Sequence, residues 1–235
     1  MSQAIQALFF DVFGTLVDWR SSIAREAEAV LRPLGYALDG LAFADAWRAE
    51  YQPALEQVRQ GRAPFRKLDV LHRQNLERIL PRFGVALLEP AMAEQLTLAW
   101  HRLDAWPDSS PGLQRLKQRF LIAPVSNGNI SLMVALARRN GFPWDAVLGA
   151  EVAADFKPKP RVYLSACAAL DLRPEQCLMV AAHASDLSAA AACGLRTAFI
   201  SRPHEYGPSQ GSPAPHGAVD FSVTSLEQLA LELGV

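Results

Sequence analysis

At 235 residues, half of them hydrophobic, a fifth charged and with a formal net charge of −1, the chain has enough apolar material for a core domain carrying a smaller inserted one. The near-neutral balance excludes a polyanion-binding surface as the organising feature, so nucleic acid is not an expected partner. No apolar run reaches the ~20 residues that span a bilayer, and the start of the chain shows no basic region, long apolar segment or small-residue cleavage site, so a cytoplasmic protein without a membrane partner is expected.

The first apolar run, residues 7–10, stops at Asp11 and Gly14 and predicts a strand. From Trp19 to about Trp106 the text is helical throughout, at 22–31, 41–58, 68–83 and 90–103, with Pro and Gly between the segments. Roughly 85 residues of helix between two strands far exceed what a βαβ crossover requires. The reading is an inserted helical cap subdomain over 19–105, with the core domain in 1–18 and 106–235. Beyond the insertion, strands are predicted at 121–125, 146–148, 178–182 and 197–200, with a weaker one at 219–223, and helices at 130–140, 160–169 and 187–193. Continuous apolar strands alternating with helices indicate an α/β fold, a doubly wound parallel sheet covered on both faces. Residues 203–217, PHEYGPSQGSPAPHG, read as a mobile Pro/Gly/Ser-rich loop. Cys167, Cys177 and Cys193 are odd in number and lack CxxC spacing, which suits reduced core thiols.

In open α/β sheets, ligands bind beyond the carboxyl ends of the strands, and here those ends are polar. Asp11 follows the first run, with Val12, Phe13 and Thr15 in the turn behind it. Ser126-Asn127-Gly128 follows LIAPV, and His183, Ser185 and Asp186 follow CLMVAA; Lys157 lies in the loop ADFKPKPRVY. Singly, each has a bland reading: an Asx turn for Asp11, a tight turn for Ser126 and Asn127, a surface position for Lys157, a helix cap for Asp186. Side by side they form a crevice holding a carboxylate nucleophile, a hydroxyl, a cation and a second acid, and only that ordered set is informative.

The set resembles the haloacid dehalogenase superfamily: DVFGT at 11–15, SNG at 126–128, KPKPRVY at 157–163 and the loop ending in Asp186. Most members are magnesium phosphatases with DxDGT, whose second Asp protonates the leaving alcohol. Phe13 stands at that position, and a phenyl ring donates no proton. Ala182 stands where a magnesium-holding acid is expected, removing a hard oxygen ligand. What remains suits displacement of a group that leaves as a stable anion, such as halide. The chain is accordingly similar to the type II L-2-haloacid dehalogenases, and DVFGTLVDWR looks like that branch. The resemblance implies an enzyme without metal or cofactor, acting on a small haloacid and releasing halide, and a homodimer. It further implies that Asp11 attacks C2, that water then opens the aspartyl ester, and that Lys157 keeps Asp11 ionised. Thr15 would fix the Asp11 loop, Ser126 and nearby amides would orient the substrate carboxylate, and Asp186 would position water. Arg48, beside the stripe Phe43, Trp47, Tyr51 and Leu55, would receive halide with Asn127, in a pocket walled by Phe13 and cap aromatics; Val12 would help bind substrate, and Tyr163 would join the network. The last loop departs from the branch at Ala181, Ala182, His183 and Ser185; His183 would donate to halide or help activate water, and His183 and Ser185 are expected to favour short haloacids, fluoroacetate included. The alternatives are a phosphatase or phosphonatase with a differently built metal site, and a binding module that keeps the crevice without catalysis.

Overall fold

The computed structural model describes residues 4–215 and 217–235; residues 1–3 of the first core segment and His216 of the 203–217 stretch lie outside the described residues. β1 (Ala7–Phe10) is the centre of a six-stranded sheet. Its four residues are fully buried, as both faces of a parallel sheet require. After it come the short β2 (Val17–Asp18) and α1 (Trp19–Leu31), which is capped by the Asp18 side chain accepting from the Ser21 N–H at 3.0 Å.

The helical run continues through α2 (Gly40–Ala49), α3 (Tyr51–Arg59), α4 (Leu68–Ile79) and α5 (Pro90–Thr97), the last two extended by 3-10 turns. A single helix was expected over 41–58, and the structure breaks it at Glu50. Pro53 is the reason: it has no N–H to give to the Ala49 carbonyl four residues back, and its ring crowds that carbonyl. The apolar stripe survives the break, and Phe43, Trp47, Tyr51 and Leu55 are all buried. The insertion closes on β3 (Asp104–Ala105), which pairs antiparallel with β2, so the chain leaves and re-enters the core through a two-stranded ribbon.

The core resumes with α6 (Ser109–Leu116), β4 (Leu121–Ser126), α7 (Ile130–Asn140), β5 (Leu148–Gly149), α8 (Ala150–Ala153) and α9 (Pro160–Ala169). β6 (Cys177–Ala181), α10 (Ala184–Ala192), β7 (Arg196–Ile200), β8 (Phe221–Val223) and α11 (Leu226–Glu232) complete it. The strand order is β5-β4-β1-β6-β7-β8, every pair parallel. Alternate residues feed the two faces: Leu8, Phe10, Ile122 and Val180 join one apolar cluster, and Phe9, Ala123, Val125 and Met179 the other. α6 and α11, which the sequence reading leaves out, pack closely on the first face. A Cβ at Gly112 would stand 2.3 Å from the Leu226 Cβ, so only glycine permits that approach. The order reverses at β1, with β4 on one side and β6 on the other. That places a crevice at its carboxyl end.

Candidate active site

Asp11 is the first residue beyond β1, and its N–H still donates to the Val180 carbonyl at 3.0 Å, holding the backbone in sheet register while the side chain turns out. The chain then folds back through Gly14 at φ 81°. The Thr15 hydroxyl donates to Asp11 Oδ2 at 2.7 Å and accepts the Ala182 N–H at 3.0 Å, so it stitches the turn after β1 to the exit of β6. Thr15 thereby braces the Asp11 loop.

Lys157 reaches in from the loop between α8 and α9. Its Nζ donates to Asp11 Oδ1 at 2.8 Å and to Asp186 Oδ2 at 2.6 Å. Its own N–H donates to Asn127 Oδ1 at 2.8 Å, and Asn127 Nδ2 donates to the Tyr51 hydroxyl at 3.0 Å, joining core to insertion. Tyr163 Oη donates to Asp186 Oδ1 at 2.5 Å. Both Asp186 oxygens thus already accept strong hydrogen bonds. Asp186 thereby holds the Lys157 ammonium against Asp11.

A cavity of about 520 Å³ opens over Asp11, with Phe13, Arg48, Tyr51, Asn127 and His183 in its wall and Ser185 at its exposed edge. The Arg48 guanidinium carbon lies 4.2 Å from the Tyr51 ring centre, 5.3 Å from Trp19 and 6.0 Å from Phe13. Its buried Nη1 has no acceptor among the described residues. Such a cation, stacked on rings and short of an acceptor, suits an anion from solution. Among the described residues, Val12, Thr15, Ser126 and Tyr163 do not line the cavity. Ser126, fully buried, accepts the Gly128 N–H at 3.1 Å and shapes its turn, a correction to its expected contact with substrate. Tyr163 likewise meets Asp186 and not the cavity, and the Val12 side chain packs in the apolar core.

Burial works against charge on Asp11, but Lys157 and His183 outweigh it and hold its carboxyl far below the usual carboxylate range. Burial likewise works against the Lys157 ammonium, and Asp11 and Asp186 overcome it, raising it above an ordinary lysine. Tyr163 is pushed up by burial and by Asp186, which keeps its hydroxyl a donor.

His183 stands between two acids. Its Nδ1 is 3.1 Å from Asp11 Oδ2, and its Nε2 is 2.9 and 3.1 Å from the two oxygens of Glu205. Both ring nitrogens are engaged, so it is not poised for a departing halide. Glu205 is completely buried, takes a 3.3 Å hydrogen bond from Trp19 Nε1, and packs so tightly on the Asp11 turn that a Cβ at Gly14 would stand 2.0 Å from its Oε1. It lies in the 203–217 stretch. The expectation of a mobile loop misses that this part is docked, with neighbouring Arg202 donating to the Thr15 carbonyl at 2.8 Å and to Asp108 at 2.7 and 3.0 Å. Glu205 itself carries no signal in the sequence beyond being an acid in a Pro/Gly-rich loop. Tyr51 was visible as part of the apolar stripe, but its hydroxyl contact was not.

A family model for haloacid dehalogenase-like hydrolases matches residues 5–194. (S)-2-Haloacid dehalogenase 1 of Pseudomonas sp. (strain CBS-3) is 31% identical over 234 residues, covering 97% of this chain and 98% of that protein. The crystal structure of a defluorinating L-2-haloacid dehalogenase is 41% identical with a TM-score of 0.94, covering 98% of this chain and 96% of its own. A second L-2-haloacid dehalogenase structure is 46% identical with a TM-score of 0.93, covering 98% and 99%. Matched by that family model over most of its length and by these proteins over nearly all of it, the chain belongs to the haloacid dehalogenase-like hydrolases.

Proposed function

We propose that the protein is an (S)-2-haloacid dehalogenase that hydrolyses a carbon–halide bond through an ester on Asp11. The observation that carries this reading is the dressing of Asp11. It is ionised, aimed into a cavity, and faces Phe13 where a proton donor would be needed for an alkoxide leaving group. An ammonium, Lys157 Nζ, bridges Asp11 and Asp186 at 2.8 and 2.6 Å, filling the point between two carboxylates that a divalent ion would claim in a phosphatase. The names of the similar proteins support the same substrate class.

In the first step an Asp11 oxygen attacks C2 in line, the C–X bond breaks, and halide leaves with its electron pair while carbon inverts. Arg48 and Asn127 receive the halide, and the amides of Val12 and Phe13 with the Ser126 turn orient the substrate carboxylate. Water then attacks Cγ of the ester and releases the 2-hydroxyacid. Tyr163, through Asp186, keeps Lys157 on Asp11. The helical insertion, residues 19–105, acts as a cap subdomain over the core of 1–18 and 106–235, and two chains pair through cap helices in the cytoplasm. No helix among the described residues is long and apolar enough to cross a membrane.

EDTA-treated protein given L- and D-2-chloropropionate, chloroacetate and fluoroacetate should release halide, from the L enantiomer in preference to D, while Asp11→Asn is silent. Halide release by Asp11→Asn at the wild-type rate, or magnesium-dependent phosphate release from small phosphoesters instead, would refute the assignment.

A further inference from the structure

Arg48 receives halide and Lys157 holds the nucleophile, but a further cation of the cavity wall has no part in either. Arg59, the last residue of α3, lines the same cavity. Side chains on a helix lean toward its N-terminus, and Arg59 runs back along α3, so that its Nη1 donates to Gln52 Oε1 at 3.1 Å and to Glu56 Oε2 at 3.3 Å. Its side chain is only 11% exposed, and its Nε is buried with no acceptor among the described residues. Nε and Nη2 make the edge of a guanidinium that takes a carboxylate in two parallel bonds. Arg20 holds Asp45 in this way, each nitrogen 2.6 Å from its oxygen. On Arg59 the same edge meets no acceptor among the described residues.

Charge and room agree on what fills it. The cationic side chains of the wall are Arg48, Arg59, Lys157 and His183, and the acids are Asp11 and Asp186. Lys157 bridges the two acids, and His183 stands between Asp11 and Glu205. The arginines are left over. Among the described residues their only acid is Glu56, whose side chain is 43% exposed, and a pair so open to water contributes little. Arg48 lies over the Tyr51 ring and Arg59 is bonded to the next residue, Gln52, so the two occupy neighbouring parts of one wall. Like charges facing one space repel, and a dianion relieves both. A cavity of about 520 Å³ has room for more than ten groups the size of water, at about 30 Å³ each, and a haloacetate needs only a fraction of it.

Resting on the dehalogenase reading above, we propose that Arg59, with Gln52, forms a second anion subsite that takes the distal carboxylate of a 2-halodicarboxylate, so that short halodiacids such as 2-halosuccinate are substrates. The chemistry at C2 is unchanged. Asp11 displaces chloride from (S)-2-chlorosuccinate with inversion, water opens the ester at Cγ, and the products are (R)-2-hydroxysuccinate, chloride and one proton. Arg59 touches neither C2 nor the halide. It determines specificity by anchoring the far end of the chain while the near carboxylate and the halide take the places already described.

The test compares (S)-2-chlorosuccinate with (S)-2-chlorobutyrate, a chain of equal length without the second charge, in halide-release kinetics of wild type, Arg59→Gln and Arg59→Lys. In wild type, kcat/KM for the diacid should exceed that for the monoacid roughly tenfold or more, the worth of a charge-assisted contact. The ratio should collapse in Arg59→Gln and recover in part in Arg59→Lys, which returns the charge without the fork. Succinate should also inhibit wild type more strongly than butyrate does. A wild-type ratio at or below one, a ratio that Arg59→Gln leaves where it was, or succinate inhibiting no better than butyrate overturns the proposal. The wild-type ratio and the inhibition need no variant, so they decide the matter even if Arg59→Gln does not fold. Failure of the dehalogenase reading has a different signature, since wild type would then release halide from neither acid.

Discussion

The Arg48 guanidinium lies over three rings with its buried Nη1 lacking a protein acceptor. A lysine would keep the charge but lose the planar face that stacks and the fork that spreads over an anion. Arg48→Lys should therefore lower kcat/KM roughly tenfold or more, about 1.4 kcal/mol of transition-state binding, with the melting temperature little changed. Halide-release kinetics check it, and an unchanged kcat/KM would remove Arg48 from anion reception. At this scale Asp11 and Asp186 were legible because each follows the end of a strand, whereas Lys157, in the loop between α8 and α9, was legible only through the motif KPKPRVY. Glu205 was not. Its carboxylate meets His183 across 22 residues that include α10 and β7, and no periodicity reports such a contact.

α4 buries His72 against Trp100, ring centres 4.3 Å apart, with neither imidazole nitrogen hydrogen-bonded among the described residues. Burial depresses its pKa to about 3, Arg48 and His101 adding to the effect and Asp69 opposing it. The unfolded chain, with His72 near 6.5, binds the proton that the folded chain refuses. Stability from this residue is complete above 6.5 and falls as pH drops toward 3, by up to about 1.4 kcal/mol per pH unit. His72→Phe should flatten that decline in urea unfolding between pH 6 and 4; an unaltered slope would show that the ring charges freely. His183 has the opposite sense. Its contribution is full below 6.5 and is lost as pH rises through about 10. Element prediction succeeded where apolar runs were long and failed where one residue decided: Pro53 divides α2 from α3, and α6 and α11 are short helices with polar residues among their apolar ones.

Across the molecule, the insertion and the core share one apolar cluster, and hydrogen bonds of single side chains pin the joint. Asn129 Nδ2 donates to Asp69 Oδ2 at 2.8 Å, and its Oδ1 accepts the Asp69 N–H at 3.2 Å; Asn127 donates to Tyr51. Lys67 and Glu151 pair at 2.9 Å, but Lys67 is well exposed, and such a pair contributes little. Asn129→Ala should cost about 1 kcal/mol of stability and raise KM more than it lowers kcat, since the loss falls on the joint and not on the reacting groups. Equal KM with reduced kcat would contradict that placement. The parallel sheet and the helical run were both readable because each follows from residue spacing. How they dock was not, since it rests on single side chains such as Asn129. The ribbon through which the chain passes between them has a practical corollary. Val17–Asp18 and Asp104–Ala105 run side by side in opposite senses, the arrangement that a two-residue hairpin bridges. Another helical insert can therefore be grafted between the same two strands, provided that it covers Phe13 and Leu16, which this one helps to bury. A chimera of that kind would exchange Arg48 and Tyr51 while leaving Asp11 on its native scaffold, making substrate choice and bond-breaking separately engineerable.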